Sequence, residues 1–495
     1  MSALEIPSQP LPTSAYGLLP FRFARLPDTD GKVLATSEAG EFAFLNADEF
    51  GQLAFGRPLS DDTADKLEAI QIIERNGSNL ATRLLATKLR TRKSFLRGGP
   101  SLHIFVVTLR CDHSCTYCQV SRKAESAAHF DMPVDAANAA VDRLFDSPSP
   151  NLTVEFQGGE PLLAFDRIRH IVSLIESRNS QHKRRITFTI TSTLHHLSDE
   201  ILDFLRAHHF QVSTSLDGPA TVHDSNRPLP SRNSHALTLA GIERTRNALG
   251  VERVSALTTL TAKSLQNPKS IIDEYVRLGF RSIFLRPLSH FGFAAKSERR
   301  LGYQAGRFLE FYEQALEYIF ELNRQGIHIE EVYTSLLLRS ILTPFPTRYV
   351  DLRSPVGAGF GTLVYNYDGG VYASDEGRML AEMGDHALRL GSVNDNYADL
   401  IGSNAMQLLA SSGLAESLPG CSDCAFVHYC GPDPAGSLSA FGEPVGHRTL
   451  SEHCKRHTGI FNILFRRLAE GDDATIRILT EWAFGGPGIA AGGAR

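Results

Sequence analysis

Apolar residues recur along most of this chain at two spacings. Between residues 102 and 288, short apolar runs alternate with stretches in which apolar residues recur every three or four positions. The runs are typical of buried strands and the stretches of amphipathic helices. The predicted strands are LHIFVVT, LTVEFQ, RITFTIT, FQVSTSL, ERVSALTTLT and RSIFLRPL. The predicted helices between them include VDAANAAVDRLF, FDRIRHIVSLIESR, LSDEILDFLRAHH and PKSIIDEYVRLG.

This alternation predicts an α/β fold with a parallel sheet, because parallel strands need a crossover connection and a helix commonly supplies it. Six such units form either an open sheet or a partial (β/α)6 barrel of the TIM type. Ligands in these folds bind at the carboxyl ends of the strands. We therefore expect functional residues in the loops that follow the strands.

The pattern divides the chain into six parts. Residues 1–20 are rich in Pro and Ser and predict a loose arm, and residues 21–97 predict a small α+β module. In that module, KVLATSEAGEFAFL predicts two strands with a turn at residues 37–40, and LNADEFGQLAFG a helix capped by Asn46 or Asp48. TADKLEAIQIIERNG and LATRLLATKLRTRK predict two more helices. The other parts are the α/β domain (98–298), a helical linker (299–345) with helices over 299–324 and 330–342, a domain of short strands and turns (346–470), and a tail (471–495).

Composition excludes several classes of protein. The 495 residues carry a formal charge of −5, whereas a nucleic-acid-binding domain is normally basic. No window approaches eighteen uncharged apolar residues, so we expect no membrane span. The first residues lack a basic start followed by an apolar run, so we expect no secretion signal and a cytoplasmic protein.

Cysteine is the most informative residue type. There are seven, an odd number that does not suit a disulfide framework. They form a group of three and a group of four, as expected for thiolate ligands of metal centres. The first group is Cys111, Cys115 and Cys118, and the second is Cys421, Cys424, Cys430 and Cys454.

The first group places three thiolates within eight residues, directly after the first predicted strand. A [4Fe–4S] cluster has four irons, so three cysteines leave one iron without a protein ligand. That iron could bind the amino and carboxylate groups of S-adenosylmethionine (SAM) and pass an electron to its sulfonium. A zinc knuckle is the alternative, with His113 as the fourth ligand.

The stretch LRCDHSCTYC resembles the cluster loop of the radical SAM superfamily, including the aromatic Tyr117 before the last cysteine. The resemblance implies that SAM is cleaved to a 5′-deoxyadenosyl radical and that backbone at Tyr117 meets the adenine. Gly158, Gly159 and Glu160 resemble the family's GGE motif. There the glycine turn lies near the methionyl ammonium of SAM, and Glu160 would be the partner of that ammonium. By itself, GGEP is also an ordinary turn.

Three further stretches follow in the order that the family implies. Ser192 stands where related peptide-modifying enzymes carry Asn in TNGT, which puts its contact with SAM in doubt. The stretch SLDGP, followed by HD and Arg, resembles a stretch of the same enzymes. The resemblance implies that Ser215 and Asp217 belong to the SAM site, with Ser215 at the ribose. It also implies that Arg227 binds the SAM carboxylate. Leu285 ends the sixth strand and would pack on adenine. Turn formation and core packing explain these residues equally well.

The second cysteine group resembles the C-terminal SPASM domain of peptide-modifying radical SAM enzymes, which in full form holds two auxiliary [4Fe–4S] clusters. Val356, Ser374 and Pro434 stand where the family has cysteines of the inner cluster. The four remaining cysteines match the ligand set of the outer cluster, so the resemblance implies one auxiliary cluster and two clusters in total. A structural zinc site is the alternative. Asp375 follows a lost cysteine, where some relatives place a catalytic acid or base; a solvated turn residue is the other interpretation.

Over most of its length the chain resembles the longer radical SAM maturase (HxsB-like) of His-Xaa-Ser systems, through LPFRF, VTLRCDHSCTYCQVSR and RPLSHFGFA. This implies a ribosomally made precursor peptide as substrate, action on side-chain carbon with a crosslink as one option, a partner radical SAM protein, a small accessory protein, and an electron donor such as flavodoxin or ferredoxin. The module at 21–97 is similar to winged-helix elements that take a precursor leader as an extra strand, although a generic cap fits as well. A sulfatase-maturing or small-molecule radical SAM enzyme and a non-redox zinc scaffold are the competing functions.

Overall fold

The computed structural model describes residues 16–75, 79–347 and 349–485. Residues 1–15 of the predicted arm and the Gly/Ala end of the predicted tail lie outside these ranges. The rest of both predictions needs correction. Gly17–Leu18 is a short strand, and Asp473–Phe484 is a helix with Ile478, Leu479 and Trp482 in the core. Within the described ranges, no helix is both long and apolar enough to cross a bilayer.

The N-terminal module is a three-stranded antiparallel sheet with three helices. The middle strand pairs with the other two, and the first and last strands of the module pair separately. Asn46, not Asp48, caps the first helix, because its side chain accepts from the Glu49 N–H. The elements are β1 (Gly17–Leu18), β2 (Phe21–Arg25), β3 (Val33–Ser37), β4 (Phe42–Leu45), α1 (Ala47–Ala54), α2 (Asp61–Ala69), β5 (Ile73–Glu74) and α3 (Leu80–Arg92).

The α/β domain contains the six predicted strands, which pair in parallel in the order β14-β12-β11-β10-β9-β6. Its strands are β6 (Leu102–Thr108), β7 (Arg110–Cys111), β8 (Lys123–Ala124), β9 (Asn151–Gly158), β10 (Arg185–Thr191), β11 (Gln211–Ser215), β12 (Val254–Thr259), β13 (Ser282–Ile283) and β14 (Leu285–Arg286). Its helices are α4 (Val134–Asp146), α5 (Phe165–His182), α6 (Asp199–Ala207), α7 (Ala220–Asn226), α8 (Ser234–Leu249), α9 (Pro268–Arg277), α10 (Gly292–Lys296) and α11 (Glu298–Leu301).

The remaining elements are α12 (Ala305–Arg324), β15 (Glu330–Glu331), α13 (Val332–Leu342), β16 (Thr362–Tyr365), β17 (Gly370–Tyr372), α14 (Asp375–Glu382), β18 (Arg389–Ser392), α15 (Tyr397–Ile401), α16 (Asn404–Ser412), α17 (Pro434–Phe441), α18 (Glu452–Glu470) and α19 (Asp473–Phe484). Short 3₁₀ turns lie at Ser94–Arg97, Ala128–Phe130, Pro161–Ala164, Val251–Arg253, Ser264–Gln266, Val350–Leu352, Ala415–Ser417 and Val427–Tyr429.

The C-terminal domain continues the main sheet. Strand β16 pairs in parallel with β6, and β17 and β18 follow it in antiparallel order, giving nine strands in one sheet. Strand β17 runs back along β16, with Tyr372 opposite Val364, and Val364 is level with Ile104 of β6. The residues after β17 therefore continue toward Leu102 at the start of β6, and the first cysteine group follows the other end of that strand.

Two predicted helices have different limits. The helix predicted over 299–324 is broken between α11 and α12 by Gly302, whose N–H bonds back to Glu298. The helix predicted over 330–342 starts at Val332, because Glu330–Glu331 pairs with β13 and the Glu331 side chain then caps α13. Glu331 connects neighbouring elements inside the protein: its carboxylate accepts from Leu285 N at 3.1 Å and lies beside the Tyr312 hydroxyl.

The N-terminal module packs directly on the C-terminal domain. The Arg92 guanidinium is buried between them and donates to the carbonyls of Ala39, Ser340 and His428 at 2.8, 3.1 and 3.3 Å. The Tyr429 hydroxyl donates to the Gly40 carbonyl at 2.9 Å. Buried charged donors that are satisfied by backbone carbonyls hold a defined orientation, so the module has a fixed place beside the second cysteine group.

Candidate metal and cofactor site

The first cysteine group lies on the loop that leaves the carboxyl end of β6. All three thiols are half-buried. Burial raises the pKa of Cys115 to about 12; Arg227 and Arg122 act against this rise, and Cys118 adds to it. Cys111 is also close enough to Cys115 for the second thiol to add to its raised pKa. The three side chains therefore converge in a region that already contains two cations.

His113 is held by protein contacts at both ring nitrogens. Its Nδ1 lies 2.8 Å from an Asp112 carboxylate oxygen, and its Nε2 lies 2.9 Å from the Ser234 hydroxyl. Cys111, Asp112 and His113 also offer ligand atoms that all lie within 4.8 Å of one another, in the described part of the chain. The start of the cysteine loop therefore has the spacing of a metal site.

Asp112 is paired with three histidines. Burial opposes its charge, but hydrogen bonds from His113, His195 and His196 outweigh burial and hold the pKa of Asp112 well below its usual range. The same carboxylate raises the pKa of His196. His195 and His196 follow β10, so this contact joins the cysteine loop to the neighbouring strand end.

The GGE turn contacts the cysteine loop through backbone. Gly159 N donates to Thr108 O at 2.9 Å, and Glu160 N donates to Arg110 O at 2.7 Å. A Cβ on Gly159 would lie 2.2 Å from Arg110 O, and one on Gly158 would lie 1.9 Å from Thr108 O. The glycines are required at this point because the backbone of the cysteine loop passes too close for a side chain.

Glu160, which is predicted to bind the SAM ammonium, has protein partners in this structure. Its side chain is fully buried, and its oxygens accept from Leu162 N, Ser192 Oγ and Thr193 N at 3.0, 2.8 and 2.7 Å. The contact with the ammonium stays a prediction. Ser192 acts with Glu160, since the Ser192 hydroxyl donates to Glu160 and accepts from Leu194 N at 3.0 Å. Both residues hold the end of β10 against the GGE turn.

Asp217 is the central acceptor of the site. It is fully buried and accepts from the Tyr117 hydroxyl at 2.6 Å, Asn226 Nδ2 at 3.2 Å, Arg227 Nε at 3.2 Å and Thr259 N at 3.1 Å. The Arg227 guanidinium also lies over the Tyr117 ring, 5.2 Å from its centroid. Asp217 thus fixes the residue before Cys118 and the arginine beside Cys115. Its predicted contact with SAM is replaced by protein contacts.

Two other predicted residues have opposite environments. Ser215 is half-buried at the carboxyl end of β11, with no side-chain hydrogen bond in the described part of the chain. Leu285 is 1% exposed and belongs to the main hydrophobic core. Leu285 therefore packs as a core residue in this structure, and its contact with adenine stays a prediction.

One face of strand β9 is polar, which sequence reasoning missed. In β9, Val154 and Phe156 are buried under the helices, whereas Glu155 and Gln157 point to the opposite face. Glu155 accepts from Gln157 at 2.7 Å and from Thr191 at 3.2 Å. Burial raises the pKa of Glu155. The signal was present: a carboxylate inside a central parallel strand departs from the continuous apolar run expected there.

Asp375 does not have the free carboxylate expected of an acid or base. Its Oδ1 accepts from Arg378 Nε at 2.7 Å, and Arg378 is 1% exposed. The next residue, Glu376, lies near Asp351 and Arg286 at the same end of the sheet. Burial, then the carboxylates of Asp351 and Asp375, raise the pKa of Glu376 to about 8.

Residues 105–281 match the Radical SAM superfamily. The chain carries a radical SAM domain. This match supports an enzyme that uses radical SAM chemistry, with a [4Fe–4S] cluster and SAM as cofactors, and the convergent thiols of Cys111, Cys115 and Cys118 fit three ligands of such a cluster.

Curated relatives are similar over part of the chain. The cysteine-type anaerobic sulfatase-maturating enzyme of Clostridium novyi is 27% identical over 131 residues, 26% of this chain and 35% of that protein. An uncharacterized protein of Methanothermobacter thermautotrophicus is 28% identical over 182 residues, 36% of this chain. The match spans 65% of the latter protein's length.

Solved structures share the fold of the radical SAM domain and of much of the remaining chain. Native anSMEcpe with bound AdoMet superimposes with a TM-score of 0.63 at 17% identity, over 77% of this chain and 99% of that one. Streptococcus suis SuiB bound to precursor peptide SuiA superimposes with a TM-score of 0.51 at 13% identity, over 87% of this chain and 98% of that one. At these identities the likeness shows a mixed α/β radical SAM fold.

Outside the radical SAM domain, the second cysteine group also converges. Burial raises the pKa of Cys430, and the charges of Cys424, Cys454 and Cys421 add to this rise in that order. The four side chains therefore lie near one another. The group is consistent with an auxiliary cluster.

The three positions where the resemblance implies cysteines have ordinary structural roles. Ser374 caps α14 by accepting from Gly377 N, and Pro434 is the first residue of α17, which Asp433 caps. Val356 is buried, and its N–H donates to the Gly413 carbonyl at 2.9 Å. No thiol replaces the missing ligands among the described residues near these positions.

Proposed function

We propose that this protein is a radical SAM peptide maturase whose substrate is a ribosomally made precursor peptide. Support comes from one observation above all: a three-thiol loop follows the first strand of a parallel sheet whose residues 105–281 match the Radical SAM superfamily, in a chain that adds a three-stranded module packed on the C-terminal domain. When bound, a [4Fe–4S] cluster and SAM would supply the electron and the 5′-deoxyadenosyl radical that abstracts hydrogen from a side-chain carbon.

Residues at the strand ends would position SAM. Cys111, Cys115 and Cys118 would hold the cluster, and backbone at Tyr117 and at the Gly158–Gly159 turn would face the cofactor. Ser215 is the free hydroxyl at this edge and would bind the ribose. Arg227 is fixed by Asp217, so its charge would act on the SAM carboxylate from a constant position.

Glu376 would handle protons in place of Asp375. Asp375 is paired with the buried Arg378, whereas Glu376 is buried with Arg286 and Asp351 nearby. A carboxylate of raised pKa can accept and release a proton near neutral pH as a substrate radical is oxidised.

The first strand of the N-terminal sheet would receive the leader of the peptide. Leu26 N donates to Lys32 O at 3.0 Å, so these two residues form a hydrogen-bonded pair. Hydrogen-bonded and non-hydrogen-bonded pairs alternate along antiparallel strands, so Phe21, Phe23 and Arg25 direct their backbone groups away from β3. Strand β2 ends the three-stranded sheet in the described part of the chain. An extended peptide could add here through backbone hydrogen bonds.

Aromatic side chains beside this edge would give the leader an apolar contact. The rings of Phe23 and Phe50 lie 4.6 Å apart between centroids, and Phe23 is 53% exposed. Phe55, at the end of α1, is 67% exposed. Apolar rings left in water next to an unpaired strand edge are a liability unless a partner covers them.

Cys421, Cys424, Cys430 and Cys454 would hold one auxiliary [4Fe–4S] cluster, and the inner cluster of a full SPASM domain would be absent. The substrate would then bind without an auxiliary iron as ligand. Following the His-Xaa-Ser resemblance, we also propose side-chain crosslinking, a partner radical SAM protein, a small accessory protein, an electron donor such as flavodoxin or ferredoxin, and a cytoplasmic location.

Sulfatase maturation is the second candidate, because one matched relative has that activity in its name. Against it, the sulfatase-maturing type has an inner cluster, and 77% coverage leaves about a quarter of this chain without counterpart in anSMEcpe.

The test is anaerobic purification followed by mass spectrometry of a coexpressed precursor peptide. We expect about eight Fe per chain, 5′-deoxyadenosine formation, and a mass loss on the peptide. The matched variants are Cys115→Ala, which should abolish SAM cleavage, and Phe23→Ser, which should weaken peptide binding while peptide-free SAM cleavage persists. Phe345→Ser, at a residue 62% exposed elsewhere, is the control. Stoichiometric zinc with no iron would contradict the proposal, and modification of a sulfatase peptide in preference to the precursor would favour the second candidate.

A further inference from the structure

Two segments of the chain border the first cysteine loop and form a basic surface. They are residues 119–126 and 290–301, which together we call the basic rim. The rim holds two carboxylates, Glu125 and Glu298, against five cations. The cations are Arg122, Lys123, Lys296, Arg299 and Arg300. The whole chain carries a charge of −5, so this local excess of positive charge runs against its average.

The rim is attached to the cysteine loop itself. Phe293 N donates to Cys118 O at 2.8 Å. Gly292 lies in the left-handed region, with φ +59, where a Cβ would be 2.8 Å from Cys118 O. The start of α10 therefore packs against the backbone of a cysteine that the proposed cluster needs.

Phe293 also joins the two halves of the rim. Its ring centroid lies 5.3 Å from the Arg122 guanidinium and 5.6 Å from the Lys296 ammonium. Arg122 is in turn one of the cations whose charge acts on Cys115. Positive charge thus extends from beside the thiols to the exposed end of α11.

These cations lack ion-pair partners. Among the described residues, none of the five forms an ion pair with a carboxylate, in contrast to most arginines on α5, α6 and α12. Lys296, Arg299 and Arg300 are exposed. Unpaired charges of one sign on a surface repel each other, and the same charges raise the encounter rate with an oppositely charged protein.

We propose that the basic rim is the docking surface for a small acidic electron-transfer protein that reduces the cluster at Cys111, Cys115 and Cys118. The inference rests on the proposed function, which needs one electron for each SAM cleaved. The donor protein loses that electron and the cluster gains it, and no atom is transferred. Docking here places the donor against the segment whose backbone contacts Cys118.

The test compares two reductants. A triple variant, Lys296→Glu with Arg299→Glu and Arg300→Glu, is assayed for 5′-deoxyadenosine without peptide, using either reduced flavodoxin or excess dithionite. The matched control reverses three exposed arginines elsewhere, Arg83→Glu, Arg90→Glu and Arg477→Glu. A single variant, Arg300→Glu, covers the case in which the triple variant folds poorly.

We expect the triple variant to lose about tenfold in rate with flavodoxin at low salt. The difference should shrink toward 1 M salt, where charges are screened beyond about 3 Å. Dithionite-driven cleavage and the control variant should match wild type. Equal flavodoxin rates for wild type and the rim variants would overturn the proposal, as would an equal loss with both reductants, because that loss would assign the cations to holding the loop. Failure of the wild-type protein to cleave SAM with dithionite would instead contradict the proposed function.

Discussion

Replacing Asp217 by Asn would keep the shape of the side chain and remove its charge. Asp217 is fully buried and accepts hydrogen bonds from Tyr117, Asn226, Arg227 and Thr259. The amide would have to direct its NH₂ group at one of these donors. The Arg227 guanidinium, whose side chain is 11% exposed, would then keep its charge without a partner.

The cost follows from these contacts. Removing one partner of a buried ion pair destabilises a protein by about 3–5 kcal/mol. Replacing both partners by uncharged groups often restores stability. We therefore expect Asp217→Asn to lower the free energy of unfolding by several kcal/mol, and Asp217→Asn combined with Arg227→Leu to recover part of that loss.

Function should respond differently from stability. Asp217 fixes Tyr117, the neighbour of Cys118, and orients Arg227. We therefore expect the double variant to bind SAM more weakly than wild type does, even where it folds well. The assays are anaerobic urea unfolding of the reconstituted protein, for stability, and equilibrium SAM binding. An unfolding midpoint for Asp217→Asn equal to that of wild type would refute this reasoning. Wild-type SAM affinity in the double variant would refute the positioning role of the pair.

Three further variants test other parts of the site. Glu376→Gln should flatten the pH dependence of stability between about pH 5 and 8. The pKa of Glu376 in the folded state, about 8, exceeds the ordinary 4.5, so the unfolded state releases its proton first and stability falls as pH rises, by at most about 1.4 kcal/mol per pH unit. An unchanged profile in urea titrations would contradict this. Gly159→Ala should lower the iron bound at the first cysteine group, because its Cβ would meet Arg110 O at 2.2 Å, whereas Gly306→Ala, with nothing within 4 Å, should leave iron content unchanged. Arg92→Met should weaken the attachment of the N-terminal module, since four backbone carbonyls lose their donor. Faster proteolysis between residues 75 and 100 would show it, and unchanged cleavage would count against a fixed module.

The order of elements and the cysteine chemistry could be predicted from the sequence. Alternating strands and helices are local patterns, and the six predicted strands all pair in parallel. The spacing of Cys111, Cys115 and Cys118 is also local, because one loop carries all three ligands. These features depend on near neighbours in the chain, so composition and periodicity reveal them.

Partner choice could not be predicted, because it depends on contacts between distant residues. Glu160 is an internal acceptor because β10 ends beside it, and Asp375 is paired because α14 brings Arg378 within 2.7 Å. Strand β16 pairs with β6 across about 260 residues, which joins the C-terminal domain to the main sheet. The basic rim likewise forms only where Phe293 meets Arg122. The sequence by itself determined which chemistry the chain can perform, and the tertiary structure decided which polar side chains remain free to take part.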